Sequence, residues 1–157
     1  AGVSRGDYDV VKDVLAKEGQ VDFWTVRMRP GKPLAFGAFE SGGRRVPHIG
    51  LPGNPVSSMV SFELFGRPAI YKMLGRSDWE RPVVRAIAEE PIENSDARRV
   101  YARAIVTRRN GAYYAALTGP QGSGILTSMA VANALAVVPE DIPRIDVGQE
   151  VDCLLLD

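Results

Sequence analysis

Hydrophobic patterning changes character across Ser77–Pro82, and that change divides what the chain can build. Upstream, helical and extended spacings alternate. Tyr8, Val10, Val11, Val14 and Leu15 recur at helical intervals between Asp7 and Lys17, with Gly19 as a stop. Val21 to Met28 and Leu34 to Phe39 read as strands on either side of Arg29-Pro30-Gly31-Lys32-Pro33. Ser41-Gly42-Gly43 is a hairpin turn into a further strand, Val46 to Leu51, which Pro52-Gly53-Asn54-Pro55 breaks. Asn54 is then a good N-cap and Pro55 suits the first helical position. Val56, Met59, Val60, Phe62, Leu64, Ile70 and Leu74 give the buried stripe of a long helix ending near Gly75, with a kink at Pro68.

Downstream of Arg76 only short β-rich runs remain: Val83–Ala88, Val100–Thr107, Tyr113–Leu117, Ala134–Val138 and Val151–Leu156. That texture predicts a small β-barrel or sandwich. The polar, proline-bearing stretch at 77–82 is the expected boundary, giving residues 1–76 as one unit and 77–157 as another.

Composition narrows the function classes. Hydrophobic residues make up 45% of the 157, enough to bury a sizeable core. Eleven Lys and Arg stand against eight Asp and Glu up to Asp78, and eight against eleven after it. This mild basic bias favours small anions and falls short of a nucleic-acid footprint. One cysteine, Cys153, allows no intrachain disulfide, and no apolar run reaches the roughly 18 residues of a membrane span. A cytoplasmic protein is expected. The opening Ala1-Gly2-Val3-Ser4 reads as the middle of a loop, so a longer parent chain is expected too.

Three loops carry chemistry. Gly50-Leu51-Pro52-Gly53-Asn54-Pro55-Val56-Ser57-Ser58 joins a strand to a helix start, where amide donors and the helix dipole favour an oxyanion. A stiff, Asn-capped turn explains it equally well. Arg29-Pro30-Gly31-Lys32-Pro33 fixes two cations on a rigid path; a solvated connection is the alternative. Gly2-Val3-Ser4-Arg5-Gly6-Asp7-Tyr8-Asp9 leads into a helix. Asp7 or Ser4 serves there as a cap, or Asp7 and Asp9 offer carboxylates to Mg²⁺.

Together the three loops resemble the patterns GVSxGDYD, KPGKPLAFG and GLPGNPVS of the molybdopterin molybdenumtransferases, the family of MoeA and the gephyrin E-domain. Gly119–Gly124, Ile125–Ala130 and Ala132–Leu135 are similar to that family's terminal β-domain. The resemblance implies an α/β plus all-β chain: the C-terminal part of a three-layer molybdopterin-binding α/β domain, followed by a small β-barrel domain. It implies insertion of molybdate into adenylated molybdopterin with release of AMP, assisted by Mg²⁺, in a homodimer. By motif match, Asp9 and Lys32 are the catalytic candidates, and Asp9 with Asp7 the metal ligands. Gly2, Ser4, Gly6, Arg29, Pro52, Gly53, Asn54, Pro55, Ser57, Arg98 and Ser123 are the cofactor-binding candidates, with Arg98 and Ser123 similar to residues that approach the site across a dimer. Two departures stand out: Arg29 replaces the usual Lys, and Ala97 the usual Gly. Much of the family's site lies upstream of Ala1, so the chain alone is expected to be inactive. It should also expose a sheet edge that a partner chain or the missing domains would cover.

Other features point to packing. His48 fits a strand residue better than a ligand, Cys153 a small core residue, and Trp24 and Trp79 packing anchors. The glycine order of 119–124 does not match a dinucleotide loop. A non-catalytic alternative stays open: a molybdopterin-binding or peptide-scaffolding module, since gephyrin-type members use this region to hold partner peptides.

Overall fold

The computed structural model describes residues 19–156. The helix expected over Asp7–Lys17 lies outside them.

Alternating side chains build β1 (Gly19–Thr25) and β3 (Pro33–Ser41), which pair antiparallel with Val21 opposite Gly37. Gly42 and Gly43, at φ 56° and 73°, make the tight turn that two-residue hairpins require. The chain then returns as β4 (Arg44–Gly50), giving a three-stranded sheet in the order β1-β3-β4. Between β1 and β3 the Val26 N–H donates to the Lys32 carbonyl at 2.8 Å, closing a loop over the proline-framed segment. That closure throws out β2 (Met28–Arg29).

The expected long helix forms in three pieces: α1 (Pro55–Ser61), a π-helical turn (Phe62–Gly66) and α2 (Arg67–Met73). Asn54 caps it as predicted, its Oδ1 accepting from the Ser57 N–H at 3.2 Å. The irregularity expected at Pro68 sits just before it. Pro68 has no N–H and its ring crowds the preceding turn, so a widened turn, with the Arg67 N–H bonded to the Phe62 carbonyl, accommodates it. Gly75, at φ 74°, ends the helix.

The 77–82 connection is irregular and pinned to the helix. The Arg81 guanidinium pairs with Glu63 at 3.0 Å, and Arg67 Nη1 donates to the Trp79 carbonyl at 2.9 Å.

Beyond it the β-rich texture resolves into a closed barrel. β5 (Val83–Ala88), β7 (Arg99–Arg109), β8 (Ala112–Leu117), β9 (Ala134–Val138) and β11 (Glu150–Leu155) run in the order β7-β8-β5-β11-β9, and a further β7–β9 pairing shuts the ring. Of the two architectures the runs allowed, the barrel forms. A ring of five strands is narrow, and alanines fill it: Ala86, Ala88, Ala102, Ala104, Ala115, Ala134 and Ala136 are buried beside Val100, Val138 and Val151. Two-residue strands β6 (Ile92–Glu93) and β10 (Arg144–Ile145) pair beside it, and a short α3 (Leu126–Ala130) leads into β9.

A second core cluster joins the two textures. Met28, Val56 and Val60 pack with Met129 and Leu135, flanked by Val26, Leu64, Phe65, Tyr101, Leu154 and Leu156. The parallel pairing of β2 with β7, Met28 opposite Arg99 and Arg29 opposite Val100, adds a backbone seam.

Candidate functional site

The seam sets the walls of a cavity of about 520 Å³. One wall is Arg29, Pro30, Gly31, Lys32 and Pro33 with Ser57 from α1, and the other is Arg98 with Gln121, Gly122 and Ser123. Five of the residues singled out from sequence thus meet in one place: Arg29, Lys32, Ser57, Arg98 and Ser123. Arg98 and Ser123 line the same cavity as Lys32 within this one chain.

Each wall is built from the residues up. Pro30 and Gly31 are buried, and the Arg29–Pro30 peptide is cis. Gly31 has φ 102°, and a Cβ there would lie 2.6 Å from Ser61 Oγ and 2.9 Å from Met28 Cε, so only glycine lets the loop lie flat on α1. Arg29 Nη2 donates to the Glu93 carbonyl at 3.1 Å. Lys32 lines the cavity and has no acidic partner among the described residues.

The opposite wall hangs on two residues that sequence reasoning passed over. Arg103 is 1% exposed, and its guanidinium meets only neutral acceptors: Ser128 Oγ at 3.0 Å, the Gly122 carbonyl at 3.0 Å and the Pro120 carbonyl at 3.5 Å. Burial lowers its pKa from the ordinary arginine value. Gln121 grips the same residue's backbone, accepting from the Arg103 N–H at 2.8 Å and donating to its carbonyl at 3.1 Å. The loop carrying Gly122 and Ser123 is therefore stapled to β7. A lone arginine in an apolar strand such as Val100–Val106 was the available signal.

The electrostatic balance favours an anion. Arg29, Lys32 and Arg98 face one cavity, and the nearest carboxylate, Asp96, pairs with Arg98 and lies 3.7 Å from Arg29. Those guanidinium groups, Arg98 foremost through its hydrogen bond, hold the Asp96 carboxyl below the ordinary carboxylate range. Two hydroxyls and the backbone of a glycine-containing loop supply neutral donors beside the cations.

Other candidates stand elsewhere. Pro52, Gly53, Asn54 and Pro55 shape the start of α1 but do not line the cavity, and Asn54 Oδ1 already takes the Ser57 N–H. Gly2, Ser4, Gly6, Asp7 and Asp9 lie outside the described residues. Among the described residues no group of three His, Cys, Asp or Glu side chains is placed to hold a metal ion. His48 packs edge-on against Phe39, ring centroids 5.2 Å apart. Cys153 is fully buried, and burial pushes its thiol pKa up to about 12. Trp24 departs from the expected packing role: it is 58% exposed and rims an apolar groove with Phe36 and Leu64. No helix among the described residues is long and apolar enough to cross a membrane.

Known proteins resemble this chain along most of its length. The MoeA C-terminal region (domain IV) family matches residues 85–156, and a family described as a probable molybdopterin binding domain matches residues 1–72. The molybdopterin molybdenumtransferase of Haemophilus influenzae is 34% identical over 152 residues, covering 96% of this chain and 37% of that protein. That of Nostoc sp. is 35% identical over 158 residues, covering 99% of this chain and 36% of its own length. Gephyrin of Dictyostelium discoideum is 33% identical over 175 residues, covering 99% of this chain and 24% of gephyrin. Among solved structures, a molybdopterin biosynthesis moeA protein from Pyrococcus horikoshii superposes with a TM-score of 0.71 at 28% identity, over 95% of this chain and 35% of that one. The chain thus spans little more than a third of the molybdenumtransferases it matches. With matched regions over both textures and the same fold in solved relatives, the chain belongs to the MoeA-type molybdopterin molybdenumtransferase family and corresponds to the C-terminal portion of its members.

Proposed function

We propose that this chain supplies the anion-holding part of a site that inserts molybdate into adenylated molybdopterin and releases AMP. On this reading it comprises the end of a molybdopterin-binding unit, residues 1–76, and a barrel unit, residues 77–157, within a longer, dimeric, cytoplasmic enzyme. The observation that carries the proposal is the convergence of Lys32, Arg29, Arg98, Ser57 and Ser123 on one cavity, with the Lys32 ammonium unpaired among the described residues. Molybdate is a tetrahedral oxyanion and the adenylated pterin carries phosphates, so both need fixed cations beside neutral donors. Arginine forks suit multi-oxygen anions and the lysine ammonium acts as a mobile point charge.

In the proposed reaction an oxygen of water or molybdate bonds to phosphorus as the phosphoanhydride to AMP breaks, and negative charge builds on the departing phosphate oxygen. On this reading Lys32 and Arg98 stabilise that charge, and the rigid Arg29–Pro33 loop keeps the ordering cost low. Asp9 and Asp7 would hold Mg²⁺, which would neutralise phosphate charge when bound. Pro52 to Pro55 act in this scheme by aiming Ser57. The lone, buried Cys153 supports a reducing compartment. The peptide-scaffolding alternative gains less support, because the barrel closes on itself and leaves no unpaired barrel edge for strand addition.

The test is molybdate-dependent AMP release by the intact polypeptide that carries this chain. Lys32→Ala should lower the rate about tenfold or more, as expected for a lost charged hydrogen bond. The 157-residue chain by itself should turn over little or nothing. An unchanged rate in Lys32→Ala would remove the cavity from the reaction.

A further inference from the structure

Asp96 stands where a cavity built for anions should have no carboxylate. Its Oδ2 accepts from Arg98 Nε at 2.9 Å and from Arg98 Nη2, and it lies 3.7 Å from Arg29 Nη1. Arg98 and Arg29 both line the cavity, and Asp96 does not. The fork that could grip a ligand is therefore already gripped from outside.

A carboxylate in this position could be a prop that aims Arg98, but the other bonds make that role redundant. Arg98 Nη1 also donates to the Met28 carbonyl at 3.4 Å, and Arg29 Nη2 to the Glu93 carbonyl at 3.1 Å. The turn itself is tied down by Arg27, whose Nη2 donates to the Ala97 carbonyl at 3.2 Å. Each cation keeps a backbone anchor without Asp96. Asp96 meanwhile has its side chain one third exposed, with room to swing into water. Ala97 after it sits at φ 49°, a left-handed conformation that non-glycine residues rarely adopt, and this turn points Asp96 back at Arg98.

We propose that Asp96 is a specificity-determining residue that competes, as a tethered internal anion, with the ligand for the Arg98 fork. A ligand takes the fork only if it offers Arg98 more than the carboxylate does. Attraction grows with charge, so a dianion or a multiply charged phosphate ester displaces Asp96, whereas a cellular monocarboxylate, which offers no more than Asp96 already gives, does not. Asp96 thereby sets a minimum charge for entry. This rests on the anion-site reading above.

Molybdate binding to the intact polypeptide, followed by isothermal titration calorimetry at fixed ionic strength, tests it. Asp96→Asn keeps the shape, removes the charge and should tighten binding about three- to fivefold, the range for releasing a partly exposed ion pair. In an Arg98→Gln background the same substitution should give less than half the gain, because the contested fork is gone and only the longer contact with Arg29 remains. Asp96→Ser provides a second probe if the first fails to fold. Acetate at tens of millimolar should compete with molybdate in Asp96→Asn and not in the wild type. Weaker or unchanged molybdate binding in the Asp96 variants, or an undiminished gain with Arg98→Gln, overturns the competitor role. Lys32→Ala separates the two readings. If it leaves molybdate binding intact, the anion site itself fails; if it weakens binding while Asp96→Asn brings no gain, only the competitor fails.

Discussion

Gly31 shows how one residue can fix a binding wall. It has a left-handed backbone and a side-chain position already filled by Ser61 Oγ and Met28 Cε. Gly31→Ala combines a strained φ with overpacking, and should destabilise the protein by about 2–4 kcal/mol in urea titration. The loop should also lift from α1 and carry Lys32 with it, so molybdate binding should fall with stability. The letters Pro-Gly-Lys-Pro announced a rigid loop; what lies under the glycine could be seen only once Ser61 was placed. The same holds for Arg103. Its sequence neighbours are ordinary strand residues, and its role comes from burial against Ser128, Gly122 and Pro120, contacts 17 to 25 positions away.

Among the elements, strands were legible where a short apolar run is bounded by polar or turn residues. Val83–Ala88 and Ala134–Val138 match their observed bounds, the latter buried on both faces. β2, β6 and β10 have two residues each, too few to carry a period, and only their partners define them. The helix after Asn54 was legible at its cap and its stop. Its interior was harder, because how Pro68 is accommodated depends on whether the turn before it bends or widens. The cap can be weighed directly. Asn54→Ala removes the acceptor for the Ser57 N–H and should cost about 1 kcal/mol, read as a lowered midpoint in thermal or urea unfolding. Ser57 stands in the cavity wall, so loosened first-turn geometry should also weaken anion binding; wild-type affinity in Asn54→Ala would show that the cap does not aim Ser57.

For the molecule as a whole, the sheet β1-β3-β4 and the interrupted helix leave a groove of about 600 Å³ lined by Phe36, Ile49, Phe62, Ile70 and Met73. Trp24, at 58% exposure, and Leu74, at 70%, extend the apolar surface. Apolar patches of this kind mark places where more protein packs. The 157-residue chain alone should bind a hydrophobic dye such as ANS and self-associate in sedimentation velocity. Both signals should fall sharply in a longer polypeptide that carries this chain; a dye-silent 157-residue monomer would mean the groove is closed without further protein.

The cavity walls meet through Met28–Arg29 and Arg98–Val100, stretches some 70 positions apart that touch along a two-residue ladder. The lining comes from both stretches, so the pocket exists only where the two surfaces are docked. On the anion-site proposal, an oxyanion lodged there acts as a clasp: its binding free energy adds to whatever holds the junction shut, so ligand occupancy and mechanical integrity of the seam should rise and fall together.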